Sequence, residues 1–248
     1  MANFITEEFY GVMDKKMFSE GMSSAINSLT PDGIFAGDNL LTWSRSLGFL
    51  QDKDFASAVD NNHPDRQELS LVWRLNTLCW AARQCSQLSG DFVEAGVYKG
   101  FTVKVICDYL NFNSMDRDYY LYDVFHHSAE MEHPELSAHS DSLYETVCAR
   151  FQNYPRVKII QGLVPESFKK GIPEKIAFMH IDMNNATAEV AVLDALYERL
   201  VPGGMIVFDD YGWIFYEEQK LAEDAWLAER YFERILELPT GQGLLVKP

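Results

Sequence analysis

Five carboxylates and two glycines in this 248-residue chain have the types and spacing of a ligand site. Glu94, Gly96 and Gly100 form an acid-glycine turn directly after the short apolar run Asp91–Glu94. In a strand–turn–helix unit, glycines let the backbone approach a ligand closely and adopt positive φ. The spacing is Glu-x-Gly-x-x-x-Gly, not the Gly-x-Gly-x-x-Gly of a dinucleotide site. A pyrophosphate on the helix N-terminus would be repelled by a carboxylate at the strand end. An acid there suits a cationic or hydroxyl-bearing ligand, for which S-adenosylmethionine, with its ammonium and sulfonium, is the leading candidate. A tight turn with no ligand is the competing explanation, and the motif alone does not decide between them.

Asp123 closes the next apolar run, one βαβ step further on, where an acid can accept both hydroxyls of a ribose; a solvent-facing acid is the alternative. Asp182 ends a later run, and Asp209 and Asp210 end the one after it. Neighbouring strands lie about 4.8 Å apart, so these three acids can meet around one cation. A few carboxylate oxygens completed by water or substrate suit Mg²⁺, whereas acids packed without a cation repel one another. The other reading has Asp210 capping the following helix, with only Asp182 facing a pocket.

The elements that must position these residues follow from periodicity. Asp65-Arg-Gln-Glu68 reads as a capping box. It opens a helix marked by Leu71, Leu75, Leu78 and Ala82 that ends near Ser89-Gly90. Strands are expected at 91–94, 119–125, 157–161, 176–181 and 205–208. The run Ile176–Ile181 is continuously apolar, as in a parallel strand buried on both faces. Helices are expected at 101–110, 142–152, 165–170, 186–200 and 217–229. A final hairpin pairs Glu233–Leu238 with Leu244–Lys247 across a glycine turn. Residues 126–141 form a polar loop holding His126, His127, His133 and His139. Their spacing matches no zinc pattern, and a lid with one histidine touching substrate is the preferred reading.

The first 66 residues read as a mostly helical cap, with a helix over Glu7–Phe18, a turn-rich stretch over 27–38 and helical character over 38–60. A dimer contact and a substrate lid both remain open as its role. The net charge of −16 argues against a nucleic-acid backbone or an anionic membrane as main partner. Four cysteines without a C-x-x-C pair read as reduced thiols. With no run of about 18 apolar residues and no leader pattern, a cytoplasmic protein is expected.

Taken together, Gly90-Asp-Phe-Val-Glu-Ala-Gly-Val-Tyr-Lys-Gly100, His180-Ile-Asp182, Leu200-Val-Pro-Gly-Gly204, Phe208-Asp-Asp-Tyr-Gly212 and Leu238-Pro-Thr-Gly-Gln-Gly243 resemble the macrocin O-methyltransferase (TylF-like) family. The resemblance spans about residues 67–248. It implies a class I, Rossmann-like doubly wound α/β fold with a seven-stranded sheet whose last strand is antiparallel, behind a helical extension over 1–66. It implies cofactor contacts at Glu94, Gly96, Tyr98, Lys99, Gly100 and Thr102, ribose at Asp123, and adenine beside Gly162 and Leu163. It also implies Mg²⁺ at Asp182, Asp209 and Asp210. The sequence departs from the sugar-methylating pattern at Met183–Glu189, where an Asp-x-Tyr-Glu-type segment is usual, and at Phe125-His-His127. The cofactor therefore transfers more securely than the acceptor. The expected activity is methyl transfer to a hydroxyl of a small molecule, a sugar moiety or another natural-product intermediate, with Asp182 removing the proton. A non-catalytic S-adenosylmethionine-binding protein is the alternative. A nicotinamide dehydrogenase shares the sheet but needs a glycine turn this chain lacks.

Overall fold

The computed structural model describes residues 3–6, 8–128, 131, 135–230 and 234–248. The chain divides into two units, Met1–Asn76 and Thr77–Pro248. In the first lie β1 (Phe4–Ile5), α1 (Lys15–Asn27), β2 (Phe35–Gly37), β3 (Leu40–Thr42), α2 (Lys53–Asp60) and α3 (Arg66–Ser70). Helix α4 (Val72–Cys85) begins there.

The helices of the first unit were expected, but its three-stranded sheet β1-β2-β3 was not. Strands of two or three residues are too short to show alternation. The β2–β3 turn is Asp38-Asn39, both left-handed (φ 50° and 56°), which these side chains tolerate. The helical character expected across 38–60 is confined to α2 and a short 3₁₀ turn, Gly48–Gln51. The helix expected over Glu7–Phe18 begins instead at Lys15, where the Asp14 carboxylate caps it by accepting the Met17 N–H at 2.9 Å. Glu7 itself lies outside the described residues. The Arg74 guanidinium grips Asp38 with two buried hydrogen bonds of 2.6 and 3.0 Å, joining the hairpin to the start of α4.

The capping box forms as read: the Glu68 N–H donates to Asp65 and the Asp65 N–H to Glu68. The helix it opens breaks at Leu71 and stops at Cys85, not near Ser89. Arg117 donates to the Ser86 and Leu88 carbonyls beyond that end, serving acceptors a helix terminus leaves open.

The second unit continues with β4 (Asp91–Ala95), α5 (Phe101–Leu110), β5 (Tyr119–Asp123), α6 (Leu143–Arg150), β6 (Val157–Gln161), β7 (Ile176–Ile181), α7 (Ala186–Leu196), β8 (Leu200–Phe208), α8 (Glu217–Arg230), β9 (Leu236–Glu237) and β10 (Gly243–Val246). Its seven strands run β6-β5-β4-β7-β8-β10-β9. The first five are mutually parallel, and β10 is antiparallel to β8 and β9. This is the class I arrangement. The chain moves outward from β4 to β6, then crosses back to β7 beside β4, which makes the β4/β7 edge a topological switch point. The closing hairpin starts at Leu236; the Glu233 end of its expected first strand lies outside the described residues.

Successive residues of a strand face opposite sides of a sheet. Val93, Ala95, Met179, Ile181, Ile206 and Phe208 accordingly pack with Val192, Leu193 and Leu196 of α7 and Trp226 and Leu227 of α8. The other face carries an aromatic cluster, Phe92, Phe112, Tyr119 and Phe178. Among the described residues, no helix is long and apolar enough to cross a membrane.

Candidate active site

The carboxyl ends of β4, β5, β6 and β7 open into a cavity of about 620 Å³. Its walls are Gly96–Tyr98 after β4, Asp123 and Val124 after β5, Gly162–Pro165 after β6 and Asp182–Asn185 after β7. Ser128, Met131, Leu136 and His139 add a further side. Open α/β sheets bind ligands at this place. A cavity of about 770 Å³ in the first unit is lined chiefly by Phe9, Met13, Met17, Phe18 and Leu41. Its acid, Asp14, is already engaged as the α1 cap.

Gly96 sits at φ 89° with its α-carbon against the Asp182 backbone. A Cβ here would lie 1.7 Å from the Asp182 carbonyl oxygen, so only glycine lets the two strand ends meet. Gly100 (φ 70°) is the N-cap of α5. Tyr98 also has positive φ, 49°. Its hydroxyl accepts the Ala138 N–H at 2.8 Å, and its ring meets His139 edge-on. The turn is thereby stitched to the histidine-bearing loop.

Of the residues singled out for cofactor, Gly96, Tyr98, Asp123, Gly162 and Leu163 line the cavity. Glu94, Lys99, Gly100 and Thr102 do not. The Asp123 carboxylate accepts three backbone N–H groups, from Val97 (2.6 Å), Tyr98 (2.8 Å) and Phe125 (2.6 Å), and so shapes the β4 turn as well as facing the cavity. Among the histidines of the loop, His139 lines the cavity and stacks on His127. His133 lies outside the described residues.

Glu94 is buried at 2 % exposure. Sheet register explains what it touches. Glu94 pairs with His180 on β7, and parallel partners point to the same face. The His180 Nδ1 lies 3.3 Å from Glu94 Oε2, and its Nε2 lies 3.5 Å from Asp209 Oδ1. Burial opposes a charge on this imidazole, but Glu94 and Asp209 on either side outweigh it and hold the pKa well above the ordinary histidine value. Tyr119 adds a hydroxyl to Glu94, and Gln242 donates to Asp209 at 3.0 Å. The sequence reading assigned His180 no role of its own. The available signal was a histidine inside an otherwise apolar run with an acid in the neighbouring strand.

Asp182 lines the cavity, and Asp209 comes close to it. Ligand atoms of His180, Asp182 and Asp209 lie within 4.8 Å of one another; Asp210 is not in that set. Burial, then the charges of Asp209 and Asp210, push the Asp182 pKa well above the usual carboxylate range. A divalent cation would relieve that repulsion, so the donor set fits Mg²⁺. His180 sits between the two carboxylates, and both of its ring nitrogens lie beyond hydrogen-bond geometry with them.

A third acidic group lies behind the Asp182 turn. Glu189 on α7 and Glu223 on α8 are both buried (4 % and 1 % exposed) and face each other.

The chain matches the family described as macrocin O-methyltransferase (TylF) over residues 72–230. Its fold resembles the O-methyltransferase NovP, with a TM-score of 0.62 at 18% identity over 74% of this chain and 83% of that one. CalS11, described as a TDP-rhamnose 3'-O-methyltransferase of calicheamicin biosynthesis, aligns at TM-score 0.55 and 15% identity over 96% of this chain and 97% of that one. The S-adenosylhomocysteine-bound methyltransferase PaMTH1 of Podospora anserina aligns at 0.51 and 13% identity over 96% and 97%. No curated protein matches the chain in sequence.

Proposed function

The chain belongs to the macrocin O-methyltransferase family, and from that premise we propose that it methylates a hydroxyl on the sugar of a small natural-product intermediate, using S-adenosylmethionine and Mg²⁺. The observation that carries this reading is the cavity at the switch point, where Gly96, Tyr98, Asp123, Gly162 and Leu163 share one space with Asp182.

S-adenosylmethionine, when bound, supplies the methyl group on a sulfonium that leaves as a neutral thioether. Asp182, Asp209 and Asp210 would hold Mg²⁺, which would supply Lewis acidity toward an acceptor hydroxyl. The chain's own residues do the rest. Glu94 provides negative charge for the cofactor's ammonium, Asp123 accepts from its ribose, and Gly162 and Leu163 flank its adenine. Lys99, Gly100 and Thr102 complete the β4 turn that carries the amino-acid end. His180 lies between Glu94 Oε2 and Asp209 Oδ1 and offsets the charge of both carboxylates. Asp182, which lines the cavity, takes the acceptor's proton on a carboxylate oxygen. The apolar wall of Val97, Val124, Met131 and Leu136 keeps water from the sulfonium. Asn184 and Asn185, where an Asp-x-Tyr-Glu-type segment is usual, give this part of the cavity wall neutral side chains.

The test is transfer of labelled methyl from S-adenosylmethionine to a panel of rhamnosylated and related glycosides, with Mg²⁺ and with chelator. Labelled product that disappears on chelation is expected. Tight S-adenosylmethionine binding with no transfer across the panel would favour the non-catalytic alternative.

A further inference from the structure

The wall of the cavity formed by Met183, Asn184 and Asn185 is an unusual piece of backbone. Asn184 is left-handed at φ 53°. Asn185 turns back to cap α7, accepting the Ala188 N–H at 2.8 Å. Gly96 presses on the turn from the β4 side. Asparagine tolerates this conformation, so what fixes the turn is its hydrogen bonds.

What holds it from behind is a carboxylate. Glu189 Oε1 accepts the Met183 N–H at 3.2 Å and the Gln219 side-chain N–H at 2.8 Å. Glu223 reaches the same carboxylate from α8. Two buried carboxyl groups at hydrogen-bond reach cannot both be ionised, and a proton between them satisfies both. Glu223 Oε2 and Gln219 Oε1 are shut off from solvent without a hydrogen-bond partner. The other charges facing the pair are Asp209 and Asp210 toward Glu189, and Asp224 and Lys220 toward Glu223. Of these only Lys220 is a cation, and its ammonium lies over the Tyr211 ring and near Asp224 and Glu237.

We propose that Glu189 is a positioning residue of the transfer site: paired with Glu223 through one shared proton, it anchors the Met183–Asn185 turn that presents the acceptor-facing wall. The pair touches neither cofactor nor acceptor. It acts through the backbone next to Asp182, and its role in methyl transfer rests on the function proposed above.

The test compares Glu189→Ala, Glu189→Gln and Glu223→Gln by hydrogen exchange at the Met183 amide, a readout that needs no cofactor and no acceptor. Loss of a hydrogen bond to a charged group should speed exchange in Glu189→Ala by about ten- to a hundredfold. Either glutamine variant keeps one negative charge and replaces the shared proton with an amide N–H, and should restore wild-type protection. In the wild type, protection relative to intrinsic exchange should fall as the pH rises past neutrality and the shared proton leaves; the glutamine variants should show no such fall. Unchanged exchange in Glu189→Ala, or glutamine variants as loose as alanine, would overturn the proposal. Should Glu189→Ala not fold, Glu223→Gln and the wild-type pH series decide alone. Where methyl transfer is measurable, kcat should drop in Glu189→Ala with KM for S-adenosylmethionine near wild type, and return in Glu189→Gln. A protein that obeys the exchange pattern but transfers no methyl would refute the function and leave the anchoring intact.

Discussion

Replacing Gly96 with alanine tests the idea that the site depends on two strand ends meeting without a side chain between them. The new Cβ would lie 1.7 Å from the Asp182 carbonyl oxygen, 2.5 Å from its carbon and 3.2 Å from the Met183 nitrogen. Ordinary contact begins near 3.4 Å, so one side must move by roughly 1.7 Å, the difference between those distances. Motion is resisted on both sides: the Asp182 N–H donates to the Ala95 carbonyl at 2.8 Å, and the Gly96 N–H to Tyr122 at 2.9 Å. Positive φ at a residue with a Cβ costs about 1–2 kcal/mol, and overpacking a rigid contact about 1–3 kcal/mol. A total of about 2–5 kcal/mol is a large part of the stability of a domain, about 5–15 kcal/mol. Displacement of the Gly96 turn, which lines the cavity with Val97 and Tyr98, should also weaken cofactor binding. Urea unfolding followed by tryptophan fluorescence reads the first quantity, and titration with S-adenosylhomocysteine the second. Gly21 on α1 has nothing within 4 Å of its would-be Cβ, so Gly21→Ala should be neutral or stabilising by about 0.5–1 kcal/mol. If Gly96→Ala matches the wild type within about 0.5 kcal/mol and keeps its affinity, the close approach is not what shapes the site.

Other outcomes follow from the same geometry. Asp182→Asn should abolish methyl transfer while leaving S-adenosylhomocysteine affinity close to wild type; near-normal turnover would remove Asp182 as the base. Arg74→Met removes two buried hydrogen bonds from the Asp38 carboxylate and should destabilise the first unit by about 3 kcal/mol, read as a lower urea midpoint; an unchanged midpoint would mean that the pair does not hold the hairpin. Burial pushes the Glu189 pKa from 4.5 up to about 7, and that of Glu223 well above its ordinary value. A raised acid pKa means the folded state keeps its proton after the unfolded state has lost it, so this contribution is greatest below about pH 4.5 and is lost as the pH rises. For Glu189 alone the loss between about pH 4.5 and 7 is about 3 kcal/mol. The urea midpoint of Glu189→Gln should therefore gain on the wild type between pH 5 and 8, and parallel pH curves would contradict the assignment.

Much of the second unit was legible because its central strands are buried. Val157–Gln161 and Ile176–Ile181 both occupy the expected bounds, and Ile176–Ile181 is a continuous apolar run, buried throughout, that has few other readings. The acid-glycine turn was legible for a related reason, since Gly96 and Gly100 stand where backbone conformation leaves little choice. The first unit was harder. Its strands are too short to show a period, and the Asp38-Asn39 turn depends on Arg74, a partner no local window contains. The same limit hid His180 and the Glu189–Glu223 pair. Each is defined by residues brought together only by sheet register or by the packing of α7 on α8, which no local window of sequence shows. The stop of α4 at Cys85 follows from Arg117, on the far side of β4, and a terminal glycine was a poorer guide.

The central claim is that one cavity holds the cofactor while the acids beside it hold a metal for the acceptor step. Calorimetric titration with S-adenosylmethionine, with Mg²⁺ and after chelation, addresses it most directly. Binding of one equivalent is expected in both conditions, weakened by Asp123→Ala and little changed by chelation. Absence of binding in either condition would contradict the cofactor reading, and binding that vanishes on chelation would move the metal from the acceptor to the cofactor.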